Sequence, residues 1–336
     1  MGREGAAESP LAEEPSVSFI IPAPPDMERP AALDSLETLD YPREKFEIIV
    51  ARGRRPARQR NEAASEARGE VLFFLDDDSI VAPDILRRNL AHYSDPQVAG
   101  VGGPALPLEA KNTVQAATDV VFASIFGDFR GCMRFARRGP ARPVSEDEVI
   151  LCNLSVRRDV FAEAGGFHDA LYPNEENALL QKVLRMGKGR VFIYEPSAPI
   201  ERARPATVGE FFRKVFGYGT GRLEQTLIQP SPICLMRLAS VLFPLYWLLL
   251  PFLLLVTPWA AAPAALYFAG NAAMSVKIAA TVRSLKVAGA AFLLFPVMHI
   301  AYPFGILWAG TVRRIFGRRG DDAEVAVTKL KDLGED

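Results

Sequence analysis

Residues 71–78 read Val71-Leu72-Phe73-Phe74-Leu75-Asp76-Asp77-Asp78. Five apolar residues run without interruption and give way at once to three carboxylates. A strand covered on both faces has no solvent side, so it needs no polar alternation; a helix on a domain surface does. The run therefore reads as a buried strand ending at an acidic edge. Residues 17–21 (Val-Ser-Phe-Ile-Ile) and 46–50 (Phe-Glu-Ile-Ile-Val) have the same character. Helix-like stretches lie between the runs, at 31–39 and at 58–68, the second followed by Gly69 as a C-cap. Strands alternating with helices predict an α/β fold built on a doubly wound sheet. Ligands of such sheets bind beyond the C-terminal ends of the strands.

The acidic triplet occupies that place. Asp76 and Asp78 stand two residues apart, so in extended chain their side chains point the same way. Close carboxylates repel unless a cation lies between them. A hard divalent ion that also grips a diphosphate satisfies this arrangement. The plain reading of the same residues is a charged turn ahead of Pro83.

Lys and Arg total 39 against 40 for Asp and Glu, which gives no basic excess for a nucleic-acid partner. Cys132, Cys152 and Cys234 have no CxxC spacing and read as free thiols in a reducing compartment. His92, His168 and His299 are far apart, which argues against a zinc site. Residues 1–15 are polar and acidic (Glu4, Glu8, Glu13, Glu14), lack the features of a signal peptide, and read as a disordered leader.

From Leu238 to Val276 there are 39 residues without a charge or a histidine. About 20 apolar residues cross the roughly 30 Å of bilayer hydrocarbon, so this stretch predicts two spans, about 238–257 and 260–280, turning at Thr257-Pro258-Trp259. A second stretch, 287–312, contains Pro296, His299 and Pro303 and is flanked by Arg283 and Lys286 and by Arg313, Arg314, Arg318 and Arg319. A third full span puts those last arginines outside, against the positive-inside tendency. The segment is therefore expected to be re-entrant or interfacial and bent at its Pro/His centre, with a plain span as the alternative. The amphipathic stretch 207–226 reads as an interfacial helix on anionic lipid or as a packed domain helix.

The order of segments resembles the family 2 glycosyltransferases with the GT-A fold. The matching pieces are Val17–Pro22, Leu39–Val50, Arg60-Asn61 before an alanine-rich helix, Phe74–Asp78, Gly102-Gly103-Pro104, Cys152–Arg158 leading to Gly165-Gly166-Phe167, Asn174–Asn177 and Tyr218–Arg222. They cover about residues 16–226. Followed by membrane segments, the arrangement looks like bacterial enzymes that build exopolysaccharide or lipid-linked glycans.

The resemblance implies roles by position. Pro22, Ala23 and Asp26 fall on the loop that touches the nucleotide. Asp76, with Asp77 beside it, falls near the ribose and diphosphate. Asp78, with Asp76, falls on the ligands of Mg2+ or Mn2+, and Arg60 on a phosphate contact. The acidic catalytic pair falls on Glu175-Glu176. Glu176 is the expected base, at the start of a helix capped by Asn174 and stopped by Gly187. There are three departures. Ala51-Arg52-Gly53-Arg54-Arg55 replaces the usual acidic element after the second strand. Glu201-Arg202-Ala203-Arg204 stands at a His-x-x-Arg element, which makes Glu201 a candidate metal ligand. The QxxRW signature of processive synthases is missing.

These readings predict a leader (1–15), a GT-A domain (16–228), a membrane region (233–316) and a charged tail (317–336). They imply a multi-pass protein of the inner membrane with its catalytic domain in the cytoplasm. The reaction they imply is inverting, metal-dependent transfer from a nucleotide-sugar donor to a lipid-linked or oligosaccharide acceptor, with membrane lipids as further partners. A catalytically inactive scaffold of the same fold, a transporter with a cytoplasmic domain, and a nucleotidyltransferase are the rival readings.

Overall fold

The structure, a computed structural model, describes residue 11, residues 14–313 and residues 325–334. Most of the expected leader lies outside the described residues, as do Arg314, Arg318 and Arg319 and the side chains of Cys234 and Arg313. Of the leader, Leu11, Glu14 and Pro15 are described. The Tyr41 hydroxyl donates to the Pro15 carbonyl at 2.6 Å and Lys45 Nζ to the Glu14 carbonyl at 2.7 Å.

The chain divides into two compact units. The described residues of Met1–Leu106, Met133–Arg202 and Gly320–Asp336 form the sheet unit, and those of Pro107–Cys132 and Ala203–Arg319 the helical unit. Residues 203–228, the last part of the expected GT-A domain, fall in the helical unit.

In the sheet unit the strands are β1 (Val17–Ala23), β2 (Phe46–Arg52), β3 (Val71–Leu75), β4 (Ile80–Val81), β5 (Val98–Gly102), β6 (Ala105–Pro107), β7 (Arg142–Val144), β8 (Asn153–Arg157), β9 (Val191–Tyr194), β10 (Ile200–Arg202) and β11 (Ala326–Lys331). Eight of them form one sheet in the order β11-β2-β1-β3-β8-β5-β9-β7, and β4-β10-β6 form a small second sheet. β1 runs parallel to β2 and β3, whereas β8 enters antiparallel beside β3, so the sheet is mixed. The run at 71–75 is uninterrupted because both faces are covered. Val71, Phe73 and Leu75 enter one core with Phe19, Ile21 and Val50, while Leu72 and Phe74 enter the other with Ile20, Ile49 and Val156.

Helices α1 (Ala32–Leu36), α2 (Pro56–Glu66) and α3 (Ile85–Leu90) belong to this unit, and α4 (Thr113–Phe122) to the other. Helices α5 (Arg158–Glu163) and α6 (Glu175–Arg185) return to the sheet unit. Gly69 is no C-cap: α2 closes at Ala67, and a Cβ at Gly69 would lie 2.5 Å from the Ser18 nitrogen. The glycine is needed for close approach to β1. The expected charged tail also carries more structure than charge alone implies. β11 pairs antiparallel with β2, and its Lys329 Nζ lies 3.0 Å from the fully buried Glu47 carboxylate. Burial works to raise the Glu47 carboxyl, but the Arg68 N–H, the Ser18 hydroxyl and Lys329 outweigh it and hold it below its ordinary range.

The helical unit adds α7 (Val208–Ile228), α8 (Pro232–Leu238), α9 (Leu242–Leu254), α10 (Ala262–Val282) and α11 (Leu285–Trp308). Among the described residues, three helical stretches are long and apolar enough to cross a membrane: Leu235–Leu254, Pro258–Val282 and Leu285–Thr311. Helix α11 runs without a break through Pro296 and Pro303, where an interruption was expected. Its His299 is a structural residue, 2.9 Å from the Tyr267 hydroxyl and 3.0 Å from the Phe126 carbonyl. Helices α7 and α11 cross at reciprocal glycines. A Cβ at Gly219 would lie 1.9 Å from the Tyr302 carbonyl oxygen, and one at Gly305 2.0 Å from that of Phe216. The amphipathic stretch 207–226 is thus a packed helix along its Gly219 face.

Candidate functional site

The parallel register sets Ala23 against Arg52, so β1 and β2 end side by side. The basic loop that follows β2 is tied to the loop that follows β1. Arg52 donates to the carbonyls of Met27 (2.9 Å) and Glu28 (2.7 Å), and the Gly53 N–H donates to Ala23 (3.0 Å). Buried Gln59 clamps both strand ends through the carbonyls of Ala23 (2.8 Å) and Ala51 (2.6 Å). Pro22 and Ala23 are buried in the strand end and Asp26 is exposed on the loop.

Beyond the end of β3, the carboxylates of Asp76 and Asp78 converge on one cation, the guanidinium of Arg202. Arg202 Nη1 lies 2.6 Å from Asp76 Oδ2, and Nη2 lies 2.8 Å from Asp78 Oδ1. Asp76 Oδ1 also accepts a hydrogen bond from Arg60 Nη2 at 2.7 Å, and Arg60 Nη1 donates to Glu175 Oε1 at 2.8 Å. One side chain of α2 thus joins the end of β3 to the start of α6, 115 residues further on than Arg60 itself. Arg60 is 3 % exposed and turned inward between two carboxylates. Asp77 turns elsewhere, its carbonyl accepting from the Ala32 N–H; partial burial and the flanking Asp78 and Asp76 push its carboxyl up.

Helix α6 begins at the predicted acidic pair, and its end is marked by Gly187, whose φ of +71° suits a residue without a side chain. Asn174 does not cap it: the residue adopts φ 82°, ψ 17° and its side chain makes no cap bond. The first turn is held from outside. Arg134 Nη2 donates to Asn177 Oδ1 at 2.6 Å, and Arg134 Nη1 lies 3.8 Å from Glu176 Oε1. Burial pushes the Glu175 carboxyl up to about 8, against the pull of Arg60 and with the help of Glu176. Tyr172, 51 % exposed, borders the same group of charges. Arg202, Arg134 and Tyr172 were not foreseen. Nothing near Arg134 or Tyr172 in sequence marks them, but strand alternation alone separates Arg202 from Glu201.

The family model for glycosyl transferase family group 2 matches residues 71–308, a span that holds the acidic triplet, the α6 pair and Arg202. The chain belongs to glycosyl transferase family group 2. It is an enzyme, a glycosyltransferase. This glycosyltransferase is similar in fold to mannosyltransferase PcManGT from Pyrobaculum calidifontis, solved in complex with GDP-Man and Mn2+, at a TM-score of 0.55 and 19 % identity over 93 % of this chain and 90 % of that one. It also resembles residues 1–349 of TarS from S. aureus in complex with UDP-GlcNAc, at a TM-score of 0.43 and 12 % identity over 93 % and 96 % of the two chains. No curated protein matches the glycosyltransferase in sequence.

The expected Mg2+ or Mn2+ site does not fit the donor set. The guanidinium of Arg202 bonds Asp76 Oδ2 at 2.6 Å and Asp78 Oδ2 at 3.1 Å, and leaves the buried Asp78 Oδ1 without a hydrogen-bond partner. Glu201, the proposed third ligand, is exposed, and strand alternation sends it to the face opposite Arg202. Among the described residues, no group of three His, Cys, Asp or Glu side chains is placed to hold a metal ion.

Proposed function

We propose that this glycosyltransferase moves a sugar from a nucleotide-sugar donor to a lipid-linked or glycan acceptor, with inversion at the anomeric carbon. The observation that carries the reading is the Arg60 bridge, which joins the Asp76 carboxylate and the Glu175-Glu176 pair in one site at the C-terminal edge of the sheet. The loop Pro22–Asp26 and the arginines at 52–55 border the nucleotide, and Asp76 and Asp77 flank the ribose and diphosphate. Burial raises the Glu175 carboxyl, which favours Glu176 as the base. Glu176 takes the acceptor hydroxyl's proton as that oxygen bonds to the anomeric carbon, and the nucleoside diphosphate departs with the electrons of the broken bond.

The apolar helices keep the enzyme at a bilayer and raise the local concentration of an acceptor that partitions there. β11 belongs to the same sheet as β1 and β2, so the chain lies on one side of the membrane both before and after those helices. The number of complete crossings is therefore even. Of the three stretches, Leu285–Thr311 has 39 % of its apolar window buried within the protein, against 0 % and 11 % for the others. That supports two crossings, by α8–α9 and by α10, with α11 lying on protein and the tail on the cytoplasmic side.

Thermal-shift measurements of the full-length protein in detergent, against UDP-, GDP- and dTDP-sugars, test the donor class. One donor raises the melting temperature by several degrees, since a ligand at about 100 times its Kd stabilises by about 2.7 kcal/mol. Equal melting temperatures across the panel would sink the reading.

A further inference from the structure

We infer that Arg202 is the resident cation of the donor site: its guanidinium stands where a divalent ion would, and the enzyme binds its donor's diphosphate without a metal. The inference rests on the reading of Asp76–Asp78 as the diphosphate end of the donor site.

Three observations carry it. First, the contacts are those of an occupied cation site. Asp76 Oδ2 and Asp78 Oδ1 approach one guanidinium at 2.6 Å and 2.8 Å, while Asp76 Oδ1 is taken by Arg60 at 2.7 Å. A divalent ion entering between them would meet a fixed positive charge, both oxygens of Asp76 engaged and Asp78 Oδ2 bonded to Arg202 at 3.1 Å; Asp78 Oδ1 alone lacks a hydrogen-bond partner. Second, the guanidinium is anchored from below. β10 pairs with β4 through Ile200–Val81 and Glu201–Ile80, so Arg202 rises from a strand bonded to the segment that begins two residues after Asp78. The sulfur of buried Cys152 also accepts a hydrogen bond from it. Third, the group is both fixed and reachable. The Arg202 side chain is 17 % exposed and that of Asp78 44 %, so an edge of the pair faces solvent. A guanidinium carries five N–H donors in a planar fork that matches phosphate oxygens, and it keeps its charge at any working pH.

The chemistry that follows is charge neutralisation. Arg202 faces the oxygens of the departing diphosphate and stabilises the negative charge that builds there as the bond to the anomeric carbon breaks. Asp76 and Asp78 hold the guanidinium in place for that role; they are not metal ligands. No electron or proton is exchanged with Arg202.

The test uses the full-length protein in detergent, with UDP and GDP as probes. Binding is measured calorimetrically in EDTA and in Mn2+, and Mn2+ uptake by the protein alone is followed by electron paramagnetic resonance. Wild type binds one of the two nucleotides with a Kd that agrees between EDTA and Mn2+ to within about threefold, and it leaves the free Mn2+ signal intact. Arg202→Ala weakens binding in EDTA by about 30-fold or more, and Mn2+ restores part of the loss because the carboxylates are freed. Arg202→Lys, which keeps the charge without the fork, falls between the two and stays indifferent to Mn2+. Wild-type binding that needs Mn2+, or stoichiometric Mn2+ uptake by wild type, overturns the inference and leaves the donor reading standing. Binding of neither nucleotide, nor of dTDP in their place, under any condition overturns the donor reading and the inference with it. The wild-type comparison decides the matter even where a variant does not fold.

Discussion

Arg60, in the sheet unit, is 3 % exposed and lies between two carboxylates at 2.7 and 2.8 Å; in the helical unit, Leu255, Val256 and Trp259 are 85, 83 and 81 % exposed. Each arrangement is costly in the other's surroundings. A buried guanidinium must be repaid by good hydrogen-bond geometry, because desolvation works against it. A row of large apolar side chains in water is paid for only by a second solvent, the bilayer. Charge concentrated inside one unit and apolar surface turned outside on the other therefore separate two tasks, building a charged cluster and associating with a membrane.

The largest effect should come from breaking the interior charges. Arg60→Ala strips Asp76 of one guanidinium and leaves buried Glu175 without its donor. Removal of one partner from such a pair costs roughly 3–5 kcal/mol, read as a lower denaturation midpoint of the purified protein. A loss near zero would mean that Arg60 is a surface residue in solution. The next tests the helical unit on its own terms, through backbone packing. Gly305→Leu forces α7 and α11 apart, since even a Cβ there would lie 2.0 Å from the Phe216 carbonyl oxygen. Overpacking of this kind costs about 1–3 kcal/mol, visible as a lower melting temperature in detergent, while nucleotide binding by the surviving folded protein is unchanged.

The smallest effect sharpens the comparison by pH. With its carboxyl raised from 4.5 to about 8, folded Glu175 holds a proton that the unfolded chain has released. Its contribution to stability is therefore present in full below pH 4.5 and lost as pH rises through about 8. Glu175→Gln, neutral in both states, should raise the melting temperature at pH 7, where wild type must take up a proton to fold, and flatten its fall between pH 6 and pH 9. A large loss at pH 7 would show that Glu175 is ionised and paired with Arg60 there.

Much of the sheet unit was legible. β1, β2 and β3 begin at the predicted residues because two-sided burial leaves the same mark, a run of apolar and β-branched residues, wherever it occurs. The convergence of Asp76 and Asp78 followed from their spacing. The identity of what they converge on did not, because Arg202 lies 126 residues from Asp76 and only strand alternation separates it from Glu201. The inward turn of Arg60 was hidden for the same reason: a helix residue's partner on another element leaves no local trace. β11 escaped notice because Ala326–Lys331 is a half-exposed edge strand whose lysines read as a solvated tail, and charged edges are how sheets avoid further pairing. Gly69 and Asn174 carried local signals of helix caps, but close approach to β1 and a left-handed turn were the reasons for those residues.

The most direct test of the account is sugar transfer by Glu176→Gln at saturating donor, beside Glu175→Gln and wild type at pH 7. If Glu176 is the base at this site, its replacement lowers kcat by about 10²–10⁴-fold while nucleotide binding is retained, and Glu175→Gln keeps most of the activity. Full activity in Glu176→Gln, or an equal loss in both variants, would contradict it.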